Sequence, residues 1–264
     1  MNHHVRPTPD QWFHDHYSDA AAQIIDFLAA DGFSLDGKEV ADVGCGEGTI
    51  SLGLAHRADI AHLDAYDLRP GSRERLAELA RNAGVNDEVP VCLNFHESSP
   101  TSIPAPSDYF DFVFSWSAFE HVRDPVGLLS EVRRILRPNG VFFLQIWPLF
   151  HSEHGGHLWL SQADEPFAHL RQSHGEIAAR ISEDEGTYPG FRASDEWESL
   201  NRTSLDDIQR ALLVSRLVPT RVELMTSPVH LTRDLMRYRL SDLTIGGVKL
   251  LAVPWGVTPS TASE

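Results

Sequence analysis

The chain has 264 residues, 42% of them hydrophobic, and carries 38 acidic against 22 basic side chains for a net charge of −16. That length suits one well-buried domain with an insertion, and the acidic surface repels polyanions, which excludes nucleic acid and anionic membrane as expected partners. Cys45 and Cys92 are too few for a disulfide framework and read as small buried residues, no apolar run nears the ~20 residues of a membrane span, and residues 1–10 lack a basic-then-apolar leader, so a cytoplasmic location is expected.

From Ser18, the spacing of Ala22, Ile25, Phe27 and Leu28 predicts an amphipathic helix ending near Gly32. Glu39 to Val43 reads as a buried strand, followed by a glycine loop and a helix over Thr49 to Arg57 with Leu52 and Leu54 inward. A second strand–helix unit spans Ile60 to Tyr66 and Pro70 to Ala83, with Pro70 suited to a first helical turn and Gly84 to the far end. Val89 to Phe95 is a third strand and Phe110 to Ser115 a fourth. Asp124-Pro125 opens a helix with apolar positions Leu128, Leu129, Val132, Ile135 and Leu136, and Pro138-Asn139-Gly140 turns the chain into a fifth strand, Val141 to Trp147. The alternation of strands and helices predicts an α/β fold with a parallel sheet.

The pattern breaks over residues 148–202, which are rich in histidine, tryptophan and acidic residues and too long for a simple connection, so they read as an insertion. Ser204-Leu205-Asp206-Asp207 resembles a capping box opening a last helix, whose stripe is Ile208, Ala211, Leu212 and Leu217. Arg221 to Met225 and Lys249 to Val253 are two closing strands, separated by a stretch with Leu231, Leu235, Met236 and Leu240. Residues 18–257 thus read as a single domain and 258–264 as a disordered tail.

In Gly44-Cys45-Gly46-Glu47-Gly48, glycines alternate between a strand and a helix, where side chains would keep a ligand from the backbone. A dinucleotide fingerprint needs its third glycine at 49, which is threonine, so a nicotinamide cofactor is disfavoured. Asp67, one βα unit later, can accept hydrogen bonds from both hydroxyls of a ribose; its competing reading is a helix cap before Pro70.

These segments, with Asp67-Leu68-Arg69-Pro70, Tyr109-Phe110-Asp111-Phe112-Val113, Phe119-Glu120-His121-Val122 and Leu136-Arg137-Pro138-Asn139-Gly140, resemble class I SAM-dependent methyltransferases of the type 11 kind, over about residues 20–147. The resemblance implies a Rossmann-like, seven-stranded, doubly wound sheet with an antiparallel last strand, helices on both faces and S-adenosyl-L-methionine (SAM) as cofactor. By position it implies that Asp42, Gly44, Cys45, Gly46 and Gly48 face the methionine part of SAM, Asp67 the ribose and Leu68 the adenine. Family members usually carry Gly-Asp after the third strand; here His96-Glu97-Ser98-Ser99 stands there, and Glu97, with Ser98, is the substitute for the acid that meets the adenine amino group. Ser115 would touch the amino-acid end through its carbonyl. Residues 1–17 would form a lid over the cofactor entrance.

SAM carries its own electrophile, so the enzyme must mainly align an acceptor and exclude water. A hydroxyl acceptor also needs a group to take its proton, and histidine titrates in the useful range. His121 follows the fourth strand, on the edge where open α/β sheets bind ligands; His151, His154 and His157 leave the fifth at the same edge. Their spacing matches no established metal motif, and no metal is assigned. Trp116, Trp147, Trp159 and Trp197 are candidates to wall an apolar acceptor pocket. The leading expectation is a SAM-dependent methyltransferase acting on a small molecule, with oxygen preferred as the methylated atom. A SAM-binding regulatory or partner subunit without catalysis remains the alternative. A nucleic-acid amine methyltransferase is disfavoured by Ser115-Trp116-Ser117-Ala118, which replaces the Asn/Asp-Pro-Pro-aromatic element of such enzymes. Oligomeric state is not readable from the sequence.

Overall fold

A computed structural model describes residues 8–158, 165–184 and 193–256. Residues 1–7, Trp159 and the tail 258–264 lie outside the described residues. The sheet has seven strands in the order β3-β2-β1-β4-β5-β7-β6: β1 Glu39–Val43, β2 His62–Asp67, β3 Leu93–Glu97, β4 Phe110–Trp116, β5 Leu136–Ile146, β6 Leu217–Thr226 and β7 Ile245–Pro254. Strands β1 to β5 pair in parallel, and β7 runs antiparallel to both β5 and β6. The expected doubly wound sheet is therefore present, and its winding reverses between β1 and β4.

Two cores cover the faces, because alternate residues of each strand point opposite ways. On one face Ala41, Val43, Val113, Phe142 and Leu144 meet the helices Pro125–Ile135 and Leu205–Val214. On the other, Val40, Leu63, Phe112, Phe114 and Phe143 meet helices Ala21–Ala29, Thr49–Ala55 and Arg73–Asn82. Numbered in chain order with the N-terminal helix Pro9–His14 as α1, these are α5 and the later helix α9, and α2, α3 and α4. The expected capping box is formed, Ser204 Oγ accepting from Asp207 N and the Asp207 carboxylate from Ser204 N. No helix among the described residues is long and apolar enough to cross a membrane.

Four sequence expectations need correction, each for an identifiable physical reason. The third strand begins at Leu93, not Val89, because the Arg73 guanidinium takes the carbonyls of Val89, Pro90 and Leu93. Pro70 does not enter α4; Ser72 Oγ caps that helix at Arg75 N, and Gly71 N donates to Gly46 O, tying this turn to the glycine loop. Pro138-Asn139-Gly140 lies inside β5 as a wide bulge, since pairing jumps from Phe110–Leu136 to Phe112–Val141. Leu217 starts β6 instead of closing α9, because Arg216 takes a left-handed φ of 58°. Both cysteines are free and only half-buried.

The insertion contributes α6 Ala168–Arg171, α7 His174–Asp184 and α8 Ala193–Ser199. It has its own small core, where Phe150, Phe167, Ile177, Ile181 and Trp197 pack with Leu235 and Leu243 from the stretch between β6 and β7. The two irregular stretches of the sequence therefore build one cap beside the sheet. At the other end, α1 continues through a π-helical turn, Asp15–Ala20, into α2. Tyr17 packs on α3 and shares a 2.9 Å hydrogen bond with His56. A Cβ on Gly53 would lie 2.2 Å from Tyr17 O, so that glycine permits the close approach.

Candidate active site

The glycine loop leaves β1 at the point where the winding reverses, the ordinary ligand position of open α/β sheets. Gly44 and Cys45 donate their N–H groups to Tyr66 O at 2.8 and 3.1 Å, which holds the loop to the end of β2. Gly44 and Gly48 have φ of 85° and 82°. A Cβ would come within 2.5 Å of the Ala118 Cβ at the first and 2.6 Å of the Phe95 ring at the second, so both need glycine twice over. Over Gly46 there is open space.

Asp67 closes β2 beside this loop. Its Oδ2 accepts from Gly46 N at 2.9 Å and its Oδ1 from Arg69 N at 3.0 Å. Each carboxylate oxygen keeps a second lone pair for a ligand hydroxyl. Asp67 thus does not cap α4, whose N-cap is Ser72; it holds the turn that follows β2. Leu68 follows, 52% exposed, an apolar side chain left in solvent beside the carboxylate. Glu97 pairs with Asp67 at the end of β3 and is exposed, and Ser98 N donates to Asp67 O.

Asp42 is buried one residue before the end of β1, accepting from Ser51 Oγ at 2.7 Å. Burial pushes its carboxyl up to about 7, against the pull of Ser51, with Asp67 adding like-charge repulsion. Ser115 at the end of β4 is fully buried, and among the described residues neither Ser115 Oγ nor Thr49 Oγ1 has a hydrogen-bond partner. Buried hydroxyls without partners suit a ligand that brings its own donors, such as an ammonium group. The residues expected at the cofactor site, Asp42, Gly44, Cys45, Gly46, Gly48, Asp67, Leu68, Glu97, Ser98 and Ser115, all lie along the ends of β1 to β4 or the turns that leave them.

The four histidines do not act as one group. His121 ends the 3-10 turn Phe119–His121 after β4, and its ring meets that of His157 edge-on at 5.4 Å. His157 Nδ1 lies 3.5 Å from Glu196 Oε1 of α8. His151 instead contacts the rings of Phe150 and Tyr238, and His154 lies 3.8 Å from Glu153. His157 has a left-handed φ of 54°, which turns it away from its neighbours in sequence. Burial pushes His121 down to about 4, helped by the charge of His157, so its imidazole is neutral at neutral pH. Buried Glu120 beside it is pushed up to about 7 by desolvation.

Glu120 and Glu196 were missed by sequence reasoning. Glu120 sat within a recognised motif; Glu196 had no signal, because 75 residues separate it from His121. Also missed was Asn201, whose Nδ2 donates to the carbonyls of Phe119 and Val122 at 2.6 and 2.9 Å, fastening the turn that carries His121. A narrow pocket here is lined by Phe119, Glu120, Ile146, Leu149, Leu200 and Asn201. The tryptophans do not form a common wall: Trp197 is core of the cap, and Trp116 stacks on Phe143 on the α2–α4 face.

Comparison with known proteins gives matches in both sequence and fold. Residues 41–144 match the sequence model of the family described as Methyltransferase domain. Over 113 residues the chain is 34% identical to a ubiquinone biosynthesis O-methyltransferase of Xylella fastidiosa (strain M23), covering 42% of each protein. Over 111 residues it is 30% identical to a sterol 24-C-methyltransferase of Gibberella zeae, covering 42% of this chain and 28% of that one. The chain thus matches these curated relatives over less than half of their length. In fold it is similar to geranyl diphosphate C-methyltransferase from Streptomyces coelicolor A3(2), solved with Mg2+, geranyl diphosphate and S-adenosyl-L-homocysteine, at a TM-score of 0.53 and 15% identity, over 88% of this chain and 79% of that one.

Proposed function

We propose that this chain, a class I SAM-dependent methyltransferase by its sheet and its family match, transfers the methyl group of SAM to a hydroxyl oxygen of a small molecule bound between the sheet edge and the cap. Bound SAM supplies an electrophilic methyl group on a sulfonium. The chain's residues hold it: Asp67 takes the ribose, Leu68 gives adenine an apolar surface, and the Asp42 carboxylate faces the cationic amino-acid end. Glu97 and Ser98 stand where the adenine edge would lie.

The observation that carries the hydroxyl reading is the cluster of His121, His157 and Glu196 at the end of β4. A neutral imidazole can accept the hydroxyl's proton, and the Glu196 carboxylate favours the imidazolium that results. His151 and His154 lie outside this cluster and are not assigned a proton-transfer role. The ubiquinone and sterol methyltransferases to which the chain is similar support a small-molecule acceptor, and the net charge of −16 disfavours nucleic acid. Residues 8–17, packed on α3, would steady the cofactor side as a lid.

The test is incubation with SAM and a broad panel of hydroxylated, amine and carbon-nucleophile acceptors, read by mass spectrometry and release of S-adenosylhomocysteine. O-methylation is expected. Products methylated only on nitrogen or carbon would overturn the oxygen reading, and a SAM-saturated protein that modifies nothing would favour a non-catalytic SAM-binding subunit.

A further inference from the structure

Three side chains from separate segments converge where the cap meets the sheet edge: His121 after β4, His157 after β5 and Glu196 on α8. One donor atom from each lies within 4.8 Å of the other two. His157 Nδ1 and Glu196 Oε1 are already 3.5 Å apart. A tetrahedral ion with bonds near 2.1 Å holds its donors about 3.4 Å apart, close to the 3.5 Å between His157 Nδ1 and Glu196 Oε1.

Hydrogen bonding sets the tautomer of His121. Ser199 Oγ donates to Glu196 O at 2.8 Å, so its lone pair accepts from His121 Nδ1–H at 2.7 Å. This leaves His121 Nε2 with its lone pair. An imidazole whose other nitrogen donates to a protein oxygen is the arrangement that orients metal-ligating histidines. Asn201 fixes the backbone of the same turn, and Glu196 Oε2 is buried with no hydrogen-bond partner among the described residues.

We propose that His121, His157 and Glu196 form a binding site for a divalent transition-metal ion, with Zn2+ the best-matched. Two imidazole nitrogens and one carboxylate suit Zn2+ and its first-row neighbours, whereas Mg2+ and Ca2+ take oxygen donors. Of the series His151, His154 and His157, only the last takes part. The ion would tie α8 to the turn after β4, and three protein ligands leave a further position for water or an acceptor oxygen. The ion would take the same His121 Nε2 lone pair that the hydroxyl reading uses as proton acceptor, so the two roles compete at one atom; the test uses no acceptor, so the two can fail separately.

Chelator-stripped full-length protein is titrated with ZnCl2 by calorimetry and, separately, with CoCl2 by visible absorption. Stoichiometric binding is expected, with intense tetrahedral Co2+ bands that Zn2+ removes. Glu196→Gln is expected to weaken Zn2+ binding at least about 100-fold and abolish the bands. The double variant His151→Ala, His154→Ala is expected to bind as the parent does. Circular dichroism and thermal melts establish folding; where Glu196→Gln fails to fold, His121→Gln carries the comparison, and the parent titration still decides. Absence of stoichiometric binding, equal affinity in Glu196→Gln, loss in the double variant, or preference for Mg2+ would each overturn the site. SAM titration of the same samples separates this outcome from failure of the cofactor reading.

Discussion

The ends of β1 to β3 and the ends of β4 and β5 lie along the same edge of one sheet, yet they gather their functional groups differently. Along the first, the groups are close in sequence and largely backbone: a glycine loop, the Asp67 turn that holds it, and a buried acid on the strand itself. Along the second, side chains from positions 121, 157 and 196 meet only because the cap folds onto the edge. The first region is specified locally, within the segment that matches the methyltransferase-domain family model; the second is specified by packing between distant segments of the chain.

If that contrast is right, damage to the first region should fall on cofactor affinity and damage to the second on turnover. The largest effect is expected from Asp67→Ala, which removes both the ligand's acceptor and the carboxylate holding Gly46 N and Arg69 N. Charge-assisted hydrogen bonds contribute about 1.5–3 kcal/mol each, so SAM affinity should fall by about three orders of magnitude. A calorimetric titration checks this; an unchanged Kd would remove Asp67 from the site.

The next effect is one of pH. Asp42 has a folded-state pKa of about 7, raised from 3.8 chiefly by burial. The folded state therefore binds the proton more tightly than the unfolded chain. Its stabilising contribution is complete below the unfolded pKa and is lost as pH rises through the folded one. Between pH 5 and pH 8 the parent should lose about 3 kcal/mol relative to Asp42→Asn. Thermal melts of both proteins at the two pH values decide the point. SAM should recover part of this loss in the parent alone, because its cation pairs with the ionised carboxylate.

In the second region, His121→Ala should lower kcat about 100-fold, the scale of a lost proton acceptor, while leaving the SAM Kd within about two-fold. A matching loss of SAM affinity would break the division between the two regions. The smallest effect is expected from Leu68→Ala. With the side chain 52% exposed, folding stability should hardly change, and SAM affinity should fall about five-fold, in keeping with about 1 kcal/mol of apolar contact.

Much of the first region was legible because its physics is local. The periodicities of the strands and helices, the glycine spacing and the acid one βα unit later all act within a few residues of where they are read. The boundaries that shifted did so through tertiary partners: the Arg73 guanidinium took the carbonyls that β3 would have used, and the Gly71 N–H went to the glycine loop instead of to a helix. The histidines show the limit most sharply. Their number and their place after β4 and β5 pointed to the acceptor side, but the closeness of 151, 154 and 157 in sequence put them at one edge together, a grouping that the left-handed turn at His157 breaks.

By itself, then, the sequence determined the doubly wound α/β sheet, the glycine loop and the place of Asp67, because each follows from backbone geometry that neighbouring residues impose on one another; the cofactor class came from the resemblance to a known family. Only the tertiary structure decided that Glu196, 75 residues beyond His121, comes within 4.8 Å of it, and that residues between β6 and β7 complete the core of the cap. Contacts of that kind are set by how one layer packs on another, and no periodicity along the chain encodes them.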